Sequence, residues 1–569
     1  MTDTNLQGGA IVANQNSQYV SIIAENGEQF NPRQKIIFNI EGEIGYIKND
    51  SYIVFDILNN SADKGRFTLQ KNLGAHAIID RVDIYSKETG ILLESNTNYC
   101  EWLNVMNQYM YDDPTNLQNH QGVGKPVQSW THQPKADGSA VASSRSIPSP
   151  IDIENNQLSP LTKESSTEMG DPAYTTRRFC IPLMCGLFGA YEGGQEKAIP
   201  VMSFGGLRIE ITLQPPKLAL QQLGCVKKNT GADHNAFFAD EVMDWVEGIA
   251  VAADTTASAN QSGQSTVCYF LVDAGTTLAG FRENHLGDLG LCIGNKMTFT
   301  GEDSAGAYTC SGTVSAAVYA DNVNLTVHGA VVQHKRLAKI TLTGIGKAGA
   351  NAIASGTLKR VLTDASYKVM NTEFRLKQLV APDNVADAQV KEGISYEYLG
   401  YEMFMNNIPI SPLRHQIPIN SVASKAVATF TILHDTSNGE GEVASSCDVY
   451  NGALPDQIHL NEVVYWINNR LYPLRSYNPQ VKGDRVLNTN ELVKALRALG
   501  TQPANLGNAD FGDLENYTNT PMVCRELARA GMVFDLRTAE PELRLGFSAA
   551  RTSILRANTF VFSKKIIQT

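Results

Sequence analysis

The most enzyme-like string in this 569-residue chain is Gly344-Ile345-Gly346-Lys347-Ala348-Gly349. Its Gly-x-Gly-x-x-Gly spacing lets backbone amides approach a dinucleotide pyrophosphate, it follows an apolar run at 339–343, and Asp364 stands about twenty residues on, where a ribose-binding carboxylate belongs. Dinucleotide binding also needs a helix directly after the third glycine. Ala350 to Thr357 contains Gly356 and has no amphipathic stripe, so the string reads as a glycine-rich turn between strands. A nucleotide-hydrolase phosphate loop is excluded too: position 341 is Thr where its first glycine belongs, and position 348 is Ala where its magnesium-binding hydroxyl belongs.

The other chemistry-bearing residues are scattered. The ten histidines (76, 120, 132, 234, 285, 328, 334, 415, 434 and 459) never fall at i, i+4 on a helix or beside paired cysteines, so no zinc site is expected. Nine cysteines (100, 180, 185, 225, 268, 292, 310, 447 and 524) are odd in number and sit among apolar residues, the pattern of a protein made in a reducing compartment. Cys180 and Cys185 are five apart on an apolar run, which places them on opposite faces of a strand as two buried thiols. There is no Gly-x-Ser-x-Gly elbow, and the acid pairs Asp112-Asp113 and Glu302-Asp303 read as solvated turns rather than calcium ligands. The sequence therefore predicts no catalytic residue, no cofactor-binding residue and no metal ligand, and a protein that is not an enzyme.

Composition narrows the class. Hydrophobic residues make up 43% and charged residues only 18%, against a usual charged share of about 25%, so much of the surface must be uncharged or packed against partners. With 47 Lys+Arg against 58 Asp+Glu the net charge is −11, opposite in sign to the footprint of a phosphate-backbone binder, and no direct sequence-specific nucleic-acid binding is expected. No run approaches the ~18–20 apolar residues of a membrane span, and Met1-Thr2-Asp3-Thr4-Asn5 lacks the basic start of a secretion signal, so the expectation is a soluble protein that does not span a membrane. The sequons at Asn49, Asn59, Asn260, Asn324 and Asn516 are then chance matches in an Asn-rich chain.

The elements that carry these residues are mostly strands. Lys35 to Ile40, Tyr52 to Leu58, Ala77 to Tyr85, Arg178 to Cys185 and Ala428 to Leu433 are short runs rich in β-branched and aromatic residues. Gly206 to Gln214 alternates most cleanly, with Leu207, Ile209, Ile211 and Leu213 on one face. Asn468-Asn469 makes a hairpin turn between 463 and 472, and closing strands are expected at 532–536, 543–547 and 559–567. Two helices interrupt them. One starts near Ser95 or Asn96, with Tyr99, Leu103, Met106 and Met110 on one face; the other takes Asn490 as N-cap, carries Leu492, Leu496 and Leu499, and stops at Gly500. Residues 112–175 read as a long surface excursion, and 215–365, richer in Ala, Gly and Thr, as a linker bearing a small β-rich insertion.

An ordered set of segments resembles the double jelly-roll major capsid proteins of the adenovirus and tailless-phage lineage, closest in style to those of polinton-like viruses and virophages. The residues that carry the resemblance are Gly74 to Tyr85, Leu92-Leu93-Glu94, Asn98-Tyr99, Phe179 to Leu183 with Gly186-Leu187-Phe188, Ile199-Pro200 and Leu207 to Leu213 in the first half. Ile467 to Pro473, the helix at 490–499 and the closing strands carry it in the second. The resemblance implies an all-β chain of two tandem eight-stranded antiparallel jelly rolls with short inserted helices and a β-rich insertion. Its divisions are an N-terminal arm at 1–28, a first jelly roll at 29–220, a linker and insertion at 221–365 and a second jelly roll at 366–569. It further implies a major capsid protein that associates as a homotrimer into pseudo-hexagonal capsomers. These meet neighbouring capsomers, penton and minor capsid proteins in the icosahedral virion of a DNA virus, assembled inside the host cell. The alternative from another class is a carbohydrate-binding or carbohydrate-active β-sandwich, which the absent secretion signal and the four tryptophans disfavour.

Overall fold

The computed structural model describes residues 17–49, 51–60, 67–69, 73–109, 132–134, 140–142, 176–191, 198–222, 243–244, 265–270, 296–303, 306–327, 330–343, 353–360, 366–379, 395–435, 458–468, 470–500, 522–528, 534–539, 541–551 and 554–568.

Alternating apolar residues set the strands. In the first half they are β1 (Ser17–Ile23), β2 (Lys35–Ile40), β3 (Tyr52–Asn59), β4 (Ile79–Ser86) and β5 (Leu92–Asn96), then, after helix α1 (Tyr99–Tyr109), β6 (Thr176–Pro182), β7 (Leu207–Leu213) and β8 (Tyr367–Leu379). They pair from the outside in: β1 with β8, β2 with β7, β3 with β6 and β4 with β5, all antiparallel, as if one long hairpin had been rolled up. Pairing of β8 with β3 and of β7 with β4 completes two sheets, β2-β7-β4-β5 and β1-β8-β3-β6, the second extended to seven strands by short pieces at 29–30, 46–48 and 198–200. That order is a jelly roll. In β7, Leu207, Ile209, Ile211 and Leu213 are buried between the sheets as their alternation predicts, while Glu210 on the other face is held by Lys35 at 2.8 Å and Arg208 at 2.7 Å.

The second half repeats the plan with β9 (Ser395–Ile408), β10 (Arg414–Pro418), β11 (Ala426–Asp435), β12 (Leu460–Ile467), β13 (Arg470–Tyr477), helix α2 (Lys482–Ala498), β14 (Met522–Glu526), β15 (Glu542–Phe547) and β16 (Leu555–Gln568). Its sheets are β9-β16-β11-β14 and β10-β15-β12-β13. Each roll thus places one helix between its fifth and sixth strands. The hairpin expected at Asn468 is present, with Asn468 at φ 51°, the left-handed conformation its turn requires.

Pairing draws the boundaries differently from the sequence. Ser17–Ile23, assigned to an arm, is the first strand of the first roll, and Tyr367–Leu379, assigned to the second roll, is the last strand of the first. The strands of the insertion form one six-stranded sheet, ordered 243–244, 353–360, 296–303, 306–327, 330–343 and 265–270, inside the β7–β8 connection rather than between rolls. Helix α1 begins at Tyr99 because Ser95 and Asn96 are still paired to β4. Helix α2 begins eight residues before Asn490. Its polar first half is held by tertiary contacts, with Tyr477 Oη donating to Asn488 Oδ1 at 2.7 Å and Asn488 Nδ2 to Met522 O at 3.3 Å. Of the strand expected at 532–536, residues 532–533 lie outside the described residues, and Phe534 makes a single bridge to Ala426. Cys185 lies past the end of β6, buried, whereas Cys180 is half-buried. The string 344–349 and the pair Asp112-Asp113 fall outside the described residues.

Candidate assembly interface

Among the described residues no three metal-ligating side chains converge and no helix is long and apolar enough to cross a membrane. Burial pushes the thiols of Cys185 and Cys524 well above the ordinary cysteine range, which leaves them poor nucleophiles. The densest functional geometry is instead where the two rolls meet. Helix α1 is buried on all sides from Tyr99 to Met106: Tyr99, Cys100, Trp102, Leu103, Val105 and Met106 supply apolar surface, and Glu101 and Asn104 a buried polar stripe, as a helix enclosed on both sides shows. Tyr99 and Cys100 turn to their own roll, with Tyr99 Oη 3.0 Å from His76 Nδ1 and Cys100 Sγ donating to Ile79 O at 2.9 Å. Trp102 turns the other way, onto the second roll, where its ring stands 4.9, 5.7 and 4.5 Å from those of Phe430, Phe560 and Phe562.

Those phenylalanines follow from strand alternation. In β16, Phe560 and Phe562 face α1, while Leu555, Ala557 and Val561 enter the core of their own roll. Sheet β9-β16-β11-β14 is therefore apolar on both faces, and its outer face is covered by the first roll.

Three tyrosines of β9 fix the direction of docking. Tyr396 Oη donates to Leu187 O at 2.8 Å, Tyr398 Oη to Leu93 O at 2.6 Å and Tyr401 Oη to Thr97 O at 3.0 Å. β9 therefore runs alongside β5 in the same direction, and both rolls point the same way. The connections at 97–175, 214–366, 436–459 and 478–521 leave from one end; the turns at 87–91, 419–425 and Asn468 occupy the other, together with the connection between β6 and β7.

A closer contact lies at Gly186. The buried Glu94 carboxylate accepts the N–H groups of Gly186 and Leu187, each at 2.7 Å, and burial raises its pKa above the ordinary glutamate range despite those bonds. Gly186 also abuts β9, where a Cβ on it would stand 2.2 Å from Leu399 O. Further along the seam, Glu101 accepts from His434 Nε2 at 2.5 Å, Asn558 Nδ2 at 2.7 Å and Asn98 Nδ2 at 3.1 Å.

The corresponding outer face of the first roll, on β1-β8-β3-β6, differs. It carries Tyr19 and Ile23, 61% and 70% exposed, with Tyr52 6.4 Å from Tyr19. Beside them Arg178 grips Asp56 at 2.7 and 3.0 Å, Asn371 Nδ2 donates to Asp56 at 2.7 Å, and Arg375 and Ser21 hold Glu373. The Arg178 guanidinium keeps the Asp56 carboxyl below the ordinary aspartate range. A depressed carboxylate contributes stability above its unfolded pKa, and that stability is lost as pH falls through its folded value. Asp56→Asn is thus expected to lower the melting temperature at pH 7, and the gap to the parent is expected to close as pH falls below the ordinary aspartate range, in parallel thermal melts.

No protein family matches this chain, and no curated protein does. Solved structures do. The Faustovirus major capsid protein is similar over 97% of this chain and 90% of its own, at 9% identity and TM-score 0.49. The mavirus major capsid protein is similar over 98% and 90%, at 10% identity and TM-score 0.33. A structure from Sulfolobus Turreted Icosahedral Virus is similar over 96% and 91%, at 7% identity and TM-score 0.31. At such identities and scores the likeness is one of arrangement alone.

No site residue was expected from the sequence, and the residues that matter here were not foreseen. The one local signal was in α1, where Trp102 and Val105 widen the apolar stripe of Tyr99, Leu103 and Met106 to one side, more than a helix packed against a single sheet needs.

Proposed function

We propose that this chain is the major, non-enzymatic building block of an icosahedral DNA-virus shell and assembles as a trimer. The observation that carries this reading is the codirectional docking of two jelly rolls of one plan, with the second roll's outer sheet covered and the first roll's left open. A second copy can seat its second roll on that open face. Repetition of this head-to-tail contact closes a ring, and at three copies the ring holds six rolls in a near-hexagonal outline that tiles a facet. The end bearing the long connections then faces outward, and the tight-turn end faces the genome. Neighbouring capsomers are the main partners, with penton and minor capsid proteins at vertices and seams, in a virion assembled inside the host cell. The acidic chain suits a shell that encloses nucleic acid without gripping it.

The mixed face of Tyr19, Ile23 and Tyr52 bordered by ion pairs has the makeup of such a contact, apolar at its centre and charged at its rim. Tyr19→Glu with Ile23→Glu places two charges in the contact without touching the core. Sedimentation of the double variant is expected to give monomer with an unchanged melting temperature. A variant that remains a trimer would remove this face from the assembly.

A further inference from the structure

We propose that Glu101, His434 and Asn558 form a docking code that selects the single arrangement in which the two rolls of one chain pack. This inference concerns the contact inside the chain and holds whether or not the chain assembles into trimers.

Apart from the close backbone approach at Gly186, the rest of the seam is permissive. Trp102 sits among three phenylalanine rings, and rings repack at other offsets at low cost. The three tyrosine hydroxyls meet backbone carbonyls, which recur along any segment, so a docking shifted along β5 finds new acceptors. Trp102 Nε1 has no hydrogen-bond partner among the described residues and adds no direction of its own. Apolar packing and carbonyl acceptors together favour association of α1 with this sheet but discriminate poorly between alignments.

The polar cluster discriminates. Glu101, on α1, is 3% exposed; His434, on β11, is 6% exposed; Asn558, on β16, is fully buried. Two strands of the second roll therefore converge on one carboxylate of the first, and Asn98 supplies the remaining bond from the helix start. In any shifted alignment the carboxylate stays buried while its two cross-roll donors move away, and an unpaired buried charge costs several kcal/mol. A buried polar group that fixes register in this way raises the free energy of wrong arrangements more than it lowers that of the right one. Of the buried acids, Glu94 cannot take this role, because its two N–H donors belong to its own roll.

The test replaces the cluster with apolar side chains of similar size, Glu101→Met with His434→Phe and Asn558→Leu, in the full-length chain. Spin labels on unnatural amino acids at the exposed positions Ile91 and Val422 report the distance between rolls by pulsed electron resonance. An excess of unlabelled chain suppresses signals between copies. The parent is expected to give one narrow distance population. The triple variant is expected to keep or raise the parent melting temperature and to show more than one population. One narrow population identical to the parent's would overturn the proposal. If the triple variant does not fold, Glu101→Gln is read instead. It keeps the shape but removes the charge, and a second distance population is expected there too; a single unchanged population would overturn the proposal in the same way.

Discussion

Trp102→Ala is expected to destabilise the protein by about 3–5 kcal/mol, the range for truncating a fully buried large aromatic. The indole is 1% exposed and is the main apolar bridge between the rolls, so the cavity opens in the seam and not inside either barrel. Neither roll can collapse to fill it without separating from the other. The expected signature is therefore more than a lower midpoint: a single cooperative denaturant transition should divide into two, one for each roll. Equilibrium unfolding followed by intrinsic fluorescence and far-ultraviolet circular dichroism checks this. Coincident transitions with a loss below about 1 kcal/mol would mean that Trp102 is not what joins the rolls.

Gly186→Ala should be strongly destabilising, because among the described glycines an added methyl here makes the shortest contact. The new carbon would stand 2.2 Å from the backbone oxygen of Leu399 and 3.0 Å from Glu94 Oε1. Backbone cannot rotate aside as a side chain can, so either β9 retreats or the 183–191 segment lifts off Glu94. Retreat of β9 strains the bond from Tyr396 Oη to Leu187 O, and lifting exposes a buried carboxylate to the loss of both N–H donors. Overpacking of this kind costs about 1–3 kcal/mol or more. Because the clash lies between rolls, hydrogen exchange is expected to accelerate first in β9 and in 183–191, leaving the β12–β13 hairpin as protected as in the parent. Uniform acceleration across both rolls would contradict that assignment.

Local order was legible in the sequence, and long-range order was not. The alternation of Leu207, Ile209, Ile211 and Leu213, the turn at Asn468 and the apolar spacing of α1 are set by neighbours a few residues away, and the structure keeps each of them. The partners of β1 and β8 are not local. Gln18 and Gln378, whose side chains meet across that pair, are 360 residues apart, and nothing in either strand names the other. That is why the first strand read as an arm and the last was given to the wrong roll. Likewise β9 reads as Tyr396, Tyr398, Tyr401 and Met403 amid polar residues, a weak strand pattern, because those tyrosines spend their hydroxyls on the other roll. The Glu101 cluster joins three ordinary polar residues from three distant elements, and only the packed fold brings them together.

The central claim, a trimeric shell subunit, is tested most directly by the absolute mass of the purified full-length protein, measured by light scattering after size exclusion and followed by negative-stain imaging. The expected result is a discrete particle of three times the 62.0 kDa chain, with a near-hexagonal outline of six lobes. A monodisperse monomer at every concentration tried would contradict it.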